Sequence, residues 1–425
     1  MTILTSTKQK PDLKFIHLAD THLGLNWPSI ARRDRIQIPV YGRVFTSIID
    51  VALSERVDFV VHGGDLVERP RPATAAWNRL LEQLPRLKDA GIPFIVVPGS
   101  HDRSETYFDK AGGDVLEILD KRGGWVKRID VEREPFVSFK VASGKTVTVY
   151  GLGDHGSDQQ KWLEALQAKM TVNSDFRILL MHGSVSDKPM KGPTVKSDTV
   201  SDLLSQGFID YVALGHNHRR WEHPTLQVYN PGSAEFTDFA DAPTICYEAN
   251  DSIVKEISRD NPQPGYYLVE VTGEITNAKF QTVPVREVKN IQIQFNNATA
   301  SQVSDAAKNA VAENASTSAI VRPILNGTLH PSASRSEIDI KEVMALRDKF
   351  LYLDYPSINF APPGTEQSIE ETDIEQLLKH HFAARLEKPE DATKIATELL
   401  SIYSKKGRTS HQEALNVIDK WKPND

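Results

Sequence analysis

Short apolar runs, each followed by polar residues, recur along the first half of the chain and predict buried strands that end in loops. Five of them are rich in Val, Ile, Leu and Phe, and they cover residues 13–20, 57–61, 92–97, 178–181 and 211–214. Runs of this kind are typical of strands buried on both faces of a sheet. Between the first three, residues 40–53 and 74–87 have apolar residues at helical spacing, which predicts two amphipathic helices.

Beyond residue 218 the helical spacing fades and further strands are predicted. Four apolar runs, at residues 227–229, 244–247, 266–271 and 278–283, are separated by turn residues. We expect them to form a second sheet that packs on the first, with helices on both outer faces. The predicted fold class is therefore α/β, as a four-layer α/β/β/α sandwich.

The chain divides into five predicted segments: a flexible N-terminus (1–12), a large domain (13–283), a small α/β capping domain (284–360), a linker (361–371) and a C-terminal helical segment (372–425). In the capping domain, a strand at 290–295 precedes a helix at 299–313, for which Thr299 is the expected N-cap. The C-terminal segment has three short amphipathic helices, two of them with capping boxes. Their apolar faces either pack back on the chain or dock a partner.

Composition narrows the class of protein. The net charge of the 425-residue chain is −7, so attraction to a nucleic acid would depend on a local basic patch or bound metal ions. No stretch approaches the roughly 18 apolar residues of a membrane span, and the N-terminus lacks the apolar core of a signal peptide. The single cysteine, Cys246, excludes an internal disulfide and fits a reducing, cytoplasmic location.

Metal-binding residue types follow each of the five apolar runs. The sequences at these positions are Asp20-Thr21-His22, Gly63-Gly64-Asp65, Gly99-Ser100-His101-Asp102, His182-Gly183 and Gly215-His216-Asn217-His218. Open α/β sheets place their sites at the carboxyl ends of strands, so we expect these side chains to converge. Several carboxylates and imidazoles together suit two divalent ions rather than one.

The residue types also predict a division of roles. Two ligand sets are expected: Asp20, His22 and His218 for one ion, and His182, His216 and Ser100 for the other. Asp65, which stands alone after its glycines, is the expected bridge between the ions. His101 is predicted to donate a proton to a leaving group, with Asp102 orienting its ring and holding it protonated. Mixed nitrogen and oxygen ligands favour Mn²⁺, with Fe²⁺, Zn²⁺ or Co²⁺ as alternatives.

This motif order resembles that of calcineurin-like metallophosphoesterases, and among them the chain looks most like the Mre11/SbcD nucleases. Residues 65–72 are similar to that branch's G-D-L-F-H followed by Arg-Pro, and residues 229–235 to its Tyr-Pro-Gly-Ser stretch. The resemblance implies a DNA nuclease that hydrolyses phosphodiesters with two metal ions. It also implies a homodimer, and binding of a Rad50-type ATPase by the helical segment, for the processing of double-strand breaks.

Two positions depart from the family pattern. Ser100 stands where the family usually has Asn, and its shorter side chain is expected to hold the second ion weakly or through a water. Glu68 stands where Mre11 proteins commonly have a His. Its carboxylate is expected to repel phosphate unless it meets a metal ion or one of the arginines at positions 69 and 71.

The sequence also offers candidate residues for contact with a substrate and with a second subunit. Basic residues beside the motifs are candidates for contact with a phosphate backbone, namely Arg69, Arg71, Arg219 and Arg220, and residues 188–196 form another basic cluster. The resemblance places the homodimer on the helices at 40–53 and 74–87, with Leu80 and Leu84 in the contact. Two other functions stay open: a phosphoesterase acting on nucleotides or phosphoproteins, and a DNA-binding scaffold that cuts poorly.

Overall fold

The structure is a computed structural model that describes residues 11–25, 42–103, 114–171, 173–187, 192–250 and 253–361. Its first strands are β1 (Leu13–Leu18), β2 (Phe59–His62), β3 (Phe94–Val96), β4 (Lys127–Arg128), β5 (Phe136–Lys140), β6 (Thr146–Leu152), β7 (Phe176–His182), β8 (Ser184–Val185), β9 (Thr194–Val195), β10 (Tyr211–Gly215), β11 (Trp221–Glu222) and β12 (Val228–Asn230). They are followed by β13 (Thr244–Asn250), β14 (Ile253–Asp260), β15 (Gly265–Thr272), β16 (Ile275–Thr282), β17 (Val288–Ala298), β18 (Ser316–Leu329), β19 (Phe350–Leu353) and β20 (Ser357–Ala361). The α-helices are α1 (Arg43–Ser54), α2 (Thr74–Asp89), α3 (Val115–Ile118), α4 (Gln159–Gln167), α5 (Ser197–Ser205), α6 (Ala300–Glu313) and α7 (Lys341–Met344).

Two six-stranded sheets form the centre of the large sandwich. Their strand orders are β16-β15-β1-β2-β3-β4 and β11-β12-β10-β7-β6-β5. Strands β1 to β4 run parallel, as do β6, β7, β10 and β12, and such strands are buried on both faces. The strands that lead to the predicted ligands are therefore divided between the sheets, with β1, β2 and β3 in the first and β7 and β10 in the second.

Aromatic rings fill the space between the two sheets. Phe15 stacks on Phe59 within the first sheet, with 4.9 Å between ring centroids, and meets Tyr211 of the second sheet edge-on at 5.4 Å. The His17 ring crosses between the sheets, with Nδ1 3.0 Å from the Tyr211 hydroxyl and Nε2 2.9 Å from the Leu214 carbonyl oxygen. All four side chains are buried. These contacts hold β1 opposite β10, and so bring their carboxyl ends together.

Helices cover both outer faces and complete the four-layer α/β/β/α sandwich, which confirms the predicted fold class. Helices α1 and α2 pack on the first sheet, while α4 and α5 pack on the second. In α2, Leu80 and Leu84 are fully buried, whereas Leu81 is 44% exposed. Because Leu80 and Leu84 contact the core, they are not the dimer contact that the sequence suggested.

The strands after residue 218 do not form one sheet, contrary to the expectation. Strand β12 joins the second sheet beside β10, whereas β15 and β16 return to the first sheet as antiparallel partners of β1. Strand β13 leaves both and pairs with β14 and β17. An apolar run predicts a strand but carries no information about its partner, which is chosen by contacts far apart in the sequence.

A third sheet lies beyond the sandwich, with order β14-β13-β17-β18-β19 and with β20 paired to β18. Helix α6 packs on it through Val303, Ala307 and Val311, and Thr299 forms the expected N-cap as part of a capping box. The predicted boundary at residue 284 does not separate the sheets, because β13 and β14 precede it and belong to the third sheet.

The C-terminal predictions fall largely outside the described residues. Ala361, the first residue of the predicted linker, is the last residue of β20. The rest of the predicted linker and the predicted helical segment at 372–425 lie outside the described residues, as do residues 1–10 of the N-terminal segment that was predicted to be flexible. Among the described residues, no helix is long and apolar enough to cross a membrane.

Candidate metal centre

Several predicted ligands have a left-handed backbone at the ends of their strands. The φ angles are 49° for Asp20, 41° for His22, 53° for Asp65 and 94° for His216. Residues other than glycine rarely adopt this conformation, and it persists where surrounding contacts impose it, often at functional sites. Here the backbone N–H of His22 donates to the Asp65 carbonyl oxygen at 3.0 Å, so the loops after β1 and β2 hold each other in place.

Two glycines allow the loops to approach the ligands closely. A Cβ atom at Gly64, which has φ 95°, would lie 2.5 Å from His182 Nδ1. A Cβ atom at Gly99 would overlap the Asp65 carboxylate. The absence of a side chain at these positions is therefore what lets the imidazole and the carboxylate sit against the backbone.

The structure brings together Asp20, His22 and His218, the first predicted ligand group. Their candidate ligand atoms lie within 4.8 Å of one another, and the two histidine Nε2 atoms are 3.2 Å apart. On the opposite side of each ring, His22 Nδ1 is 3.0 Å from Glu68 Oε2 and His218 Nδ1 is 3.0 Å from Asp241 Oδ2. A ring that donates its Nδ1 proton to a carboxylate keeps the Nε2 lone pair for a cation.

Asp65 and His182 occupy the middle of the site. Asp65 Oδ2 is 3.9 Å from His22 Nε2 and 3.5 Å from His182 Nε2, which suits the predicted bridging carboxylate. His182 Nδ1 lies 2.8 Å from the Gly63 carbonyl oxygen, to which it donates. Its buried Nε2 finds no hydrogen-bond partner among the described residues. A buried lone pair beside carboxylates is costly unless a cation meets it, so the donor set fits divalent metal ions.

A second cluster of candidate ligand atoms includes Asp154, a residue that the sequence reasoning did not single out. Candidate ligand atoms of Asp154, His182 and His216 lie within 4.8 Å of one another. Ser100, the predicted third member, is exposed, and its Oγ lies 3.5 Å from Asp65 Oδ2. Asp154 follows β6, whose apolar run also ends in the site, and that position after a buried strand was the signal available in the sequence.

The predicted partnership of His101 with Asp102 is wrong. The buried Asp102 carboxylate accepts from the backbone N–H groups of Gly99, Leu66 and Val67 at 2.9–3.3 Å, so it ties together the loops after β2 and β3. Burial and the nearby charge of Asp65 raise the pKa of Asp102 to about 6. Adjacent residues on a tight turn point in different directions, which is why neighbours in sequence need not touch.

Glu68 takes the place expected of Asp102. The His101 Nδ1 atom donates to the Glu68 carbonyl oxygen at 2.9 Å and lies 3.6 Å from Glu68 Oε2. The same carboxylate oxygen is the partner of His22 Nδ1. Glu68 therefore orients two histidines of the site.

The electrostatics of the site reflect its buried carboxylates. Burial lowers the pKa of His218, but its hydrogen bond to Asp241 and the charge of Asp20 raise it more, to about 9. Burial also lowers the pKa of His182, but the charges of Asp65 and Asp20 raise it more, so that it lies above its ordinary value. Without a cation, protons bound to these histidines therefore supply part of the positive charge that balances the carboxylates.

The four predicted DNA-contacting arginines differ in their surroundings. Arg219 donates to Asp260 at 2.7 Å and to the Ala240 carbonyl oxygen at 3.0 Å. Arg220 pairs with Glu222 and lies over the Phe280 ring at 4.3 Å. Arg69 and Arg71 are exposed on the loop that begins at Asp65. Residues 188–191 of the other basic cluster are outside the described chain.

Comparison with known proteins identifies several relatives of this chain. The calcineurin-like phosphoesterase family matches residues 13–220. The chain is 26% identical over 343 residues to the DNA double-strand break repair protein Mre11 of Saccharolobus solfataricus, which covers 80% of this chain and 81% of that protein. It is 27% identical over 287 residues to the protein of the same name from Sulfurisphaera tokodaii, which covers 67% of this chain and 66% of that protein.

A bacterial protein is a further relative of this chain. The chain is 29% identical over 304 residues to the uncharacterized metallophosphoesterase YhaO of Bacillus subtilis, over 67% of this chain and 66% of that protein. The matched domain contains the ligand-bearing ends of β1, β2, β3, β7 and β10. Residues 13–220 are therefore a calcineurin-like phosphoesterase domain, and the chain, a metal-dependent hydrolase, is similar to the Mre11-type metallophosphoesterases.

Proposed function

We propose that the protein is a Mn²⁺-dependent DNA nuclease that acts as a double-strand exonuclease and single-strand endonuclease in the processing of double-strand breaks. The observation that carries the proposal is the convergence of three imidazoles on two carboxylates. His22, His182 and His218 each donate Nδ1 to an oxygen, which leaves three Nε2 atoms beside Asp20 and Asp65. Relatives named as double-strand break repair proteins support DNA as the substrate.

The chain's own residues would hold two cations close together. Asp20, His22 and His218 would bind one, His182 and His216 the other, and Asp65 both. Divalent cations at such a site neutralise phosphate oxygens and make a water acidic enough to attack phosphorus. The imidazoles and the buried setting favour Mn²⁺ over Mg²⁺, which prefers oxygen ligands and keeps several waters.

His101 is the residue placed to deliver a proton to the leaving oxygen. Its side chain is 41% exposed, and its Nδ1 is engaged by the Glu68 carbonyl oxygen. This leaves Nε2 to exchange a proton with a bound phosphodiester. The ring also meets the His22 ring edge-on, with 4.8 Å between centroids, so His101 adjoins the first ligand group. Proton transfer of this kind contributes roughly 10²–10⁴-fold to a rate.

The partners are proposed on the same basis. Assembly with a Rad50-type ATPase through residues 372–425, homodimer formation and a nucleoid-associated cytoplasmic location follow from the resemblance to Mre11 proteins. Arg69 and Arg71, which are exposed on the loop that begins at Asp65, are the arginines proposed to meet DNA. A nucleotide or phosphoprotein phosphoesterase is the second candidate, because the chain is also 29% identical to YhaO, which is named only as a metallophosphoesterase.

Labelled DNA separates these functions. The full chain would be incubated with duplex, hairpin and single-stranded DNA in Mn²⁺ or Mg²⁺, with and without a Rad50-type ATPase. We expect cleavage in Mn²⁺, loss of turnover in His101→Gln, and the same DNA affinity and metal content in that variant. Hydrolysis of small phosphoesters without cleavage of any DNA would contradict the proposal, and so would DNA binding without cleavage under all these conditions.

A further inference from the structure

We propose that Asp154 is a ligand of the second cation, in the place that Ser100 is too short to fill. This inference rests on the two-cation part of the proposed function and assigns one more residue to it. The candidate ligand atoms of Asp154, His182 and His216 lie within 4.8 Å of one another. That spacing would let one cation touch all three.

The unpartnered nitrogen of His182 points to a ligand at this place. His182 is fully buried, and its Nδ1 proton is donated to the Gly63 carbonyl oxygen. The Nε2 atom on the other side of the ring has no hydrogen-bond partner among the described residues. Because a buried nitrogen without a partner is costly, a cation between His182, His216 and Asp154 would remove that penalty.

The backbone places Asp154 beside the loop that contains Ser100. The Asp154 N–H donates to the Pro98 carbonyl oxygen at 2.9 Å. The preceding residue, Gly153, lies so close that a Cβ atom there would be 2.7 Å from the same oxygen. The loop after β6 thus runs along the loop after β3, so a carboxylate from one can serve the position expected of a side chain from the other.

Further contacts fix the conformation of this loop. Asp130 accepts from the Gly153 N–H and from His155 Nε2, both at 3.1 Å, and also pairs with Arg103. Asp154 Oδ1 accepts from the Gly156 N–H at 2.8 Å. This bond closes a tight turn and leaves Oδ2 for a cation. These contacts hold the loop in one conformation, in which Asp154 Oδ2 is available to a cation.

A carboxylate at this position changes what is expected of the second cation. Ser100 alone would offer a neutral hydroxyl, so the sequence suggested a weak site. Asp154 instead supplies a negative oxygen in a pocket that already contains Asp65. Oxygen ligands with charge bind hard divalent cations more strongly than hydroxyls do. With Asp154 as a ligand, the substitution of Ser for Asn at position 100 costs the site little affinity.

Mn²⁺ binding to the full chain tests the inference, by equilibrium dialysis and by the electron paramagnetic resonance signal of adjacent Mn²⁺ ions. Asp154→Asn is the main variant, because its side-chain oxygen can keep the bond to the Gly156 N–H while the charge is lost. We expect the second Mn²⁺ to bind at least about 10-fold more weakly and the coupled signal to fade. Ser100→Ala should change the affinity less than twofold. Asp158→Ala, an exposed carboxylate of the same loop, is the matched control and should bind as the parent does.

The double variant Asp154→Asn with Ser100→Asn tests whether the two residues serve the same cation. An amide oxygen at position 100 should restore part of the lost affinity if the two residues serve the same cation position. Two ions bound equally well in Asp154→Asn and in the parent would overturn the inference while leaving the proposed function intact. A parent chain that never binds a second Mn²⁺ would instead contradict the two-cation site itself.

Discussion

At the scale of single residues, the ligand set could be predicted because each member follows a buried strand and belongs to a short motif. Asp20, His22, Asp65, His182, His216 and His218 all lie where those patterns predicted convergence. The residues that orient them could not be predicted in the same way. Asp241 and Glu68 act through contacts with His218 and His22, and nothing in the local sequence of a loop carboxylate identifies the ring that it will face.

Removal of the Glu68 carboxylate should weaken the first cation. Glu68 Oε2 accepts the Nδ1 proton of His22, so Glu68→Ala frees the ring to turn and lowers its basicity. We expect roughly 10–100-fold weaker Mn²⁺ binding at the first position, with a smaller loss in Glu68→Gln, whose amide oxygen still accepts. Isothermal titration with Mn²⁺ measures both. Equal affinities in the parent and in Glu68→Ala would exclude this orienting role.

At the scale of elements, the pattern of apolar residues predicted which segments form strands and helices, but it did not predict which strands pair with each other. Residues 266–271 and 278–283 are strands, as expected, but they extend the first sheet instead of building the second. Strand β15 reaches β1 across more than two hundred intervening residues, because Tyr267 and Val269 complete the core between the sheets. Pairing of that kind depends on the whole fold, which the alternation within one strand does not encode.

Helix α2 offers a prediction about association. Its Leu84 is fully buried, whereas Leu81 is 44% exposed. If homodimers form through this helix, Leu81→Glu should give monomers in sedimentation velocity without loss of thermal stability. Leu84→Ala should instead cost about 2–5 kcal/mol of folding free energy and leave the oligomeric state of the folded protein unchanged. Dimers that persist in Leu81→Glu would place the interface on another surface.

At the scale of the whole molecule, the site depends on two sheets that are held in register. The candidate ligands Asp20, His22 and Asp65 follow β1 and β2 of one sheet, and His182, His216 and His218 lie at the ends of β7 and β10 of the other. His17 links the sheets through Tyr211 and Leu214. In the sequence, His17 lies within an apolar run, and nothing there indicates that it links the two sheets. A buried polar contact across a core has no sequence signature.

The His17 bridge should make stability depend on pH. Burial lowers the pKa of His17 from 6.5 to about 4, so between these pH values the unfolded chain binds a proton that the folded chain does not. Stability is therefore present above pH 6.5 and is lost as the pH falls towards 4, by about 3 kcal/mol in total. Urea unfolding at pH 7 and pH 5 should show a steeper loss for the parent than for His17→Gln. Identical losses in both proteins would show that His17 does not titrate in this way.

The central claim is that Asp65 joins two cations in one site, and the metal content of Asp65→Ala tests it most directly. The carboxylate lies 3.9 Å from His22 Nε2 and 3.5 Å from His182 Nε2, between the two ligand groups. After dialysis against Mn²⁺ and removal of the excess, elemental analysis of the parent should find two ions per chain. A folded Asp65→Ala protein should have lost both, because a bridge serves both positions. Two ions per chain in that variant would contradict the account.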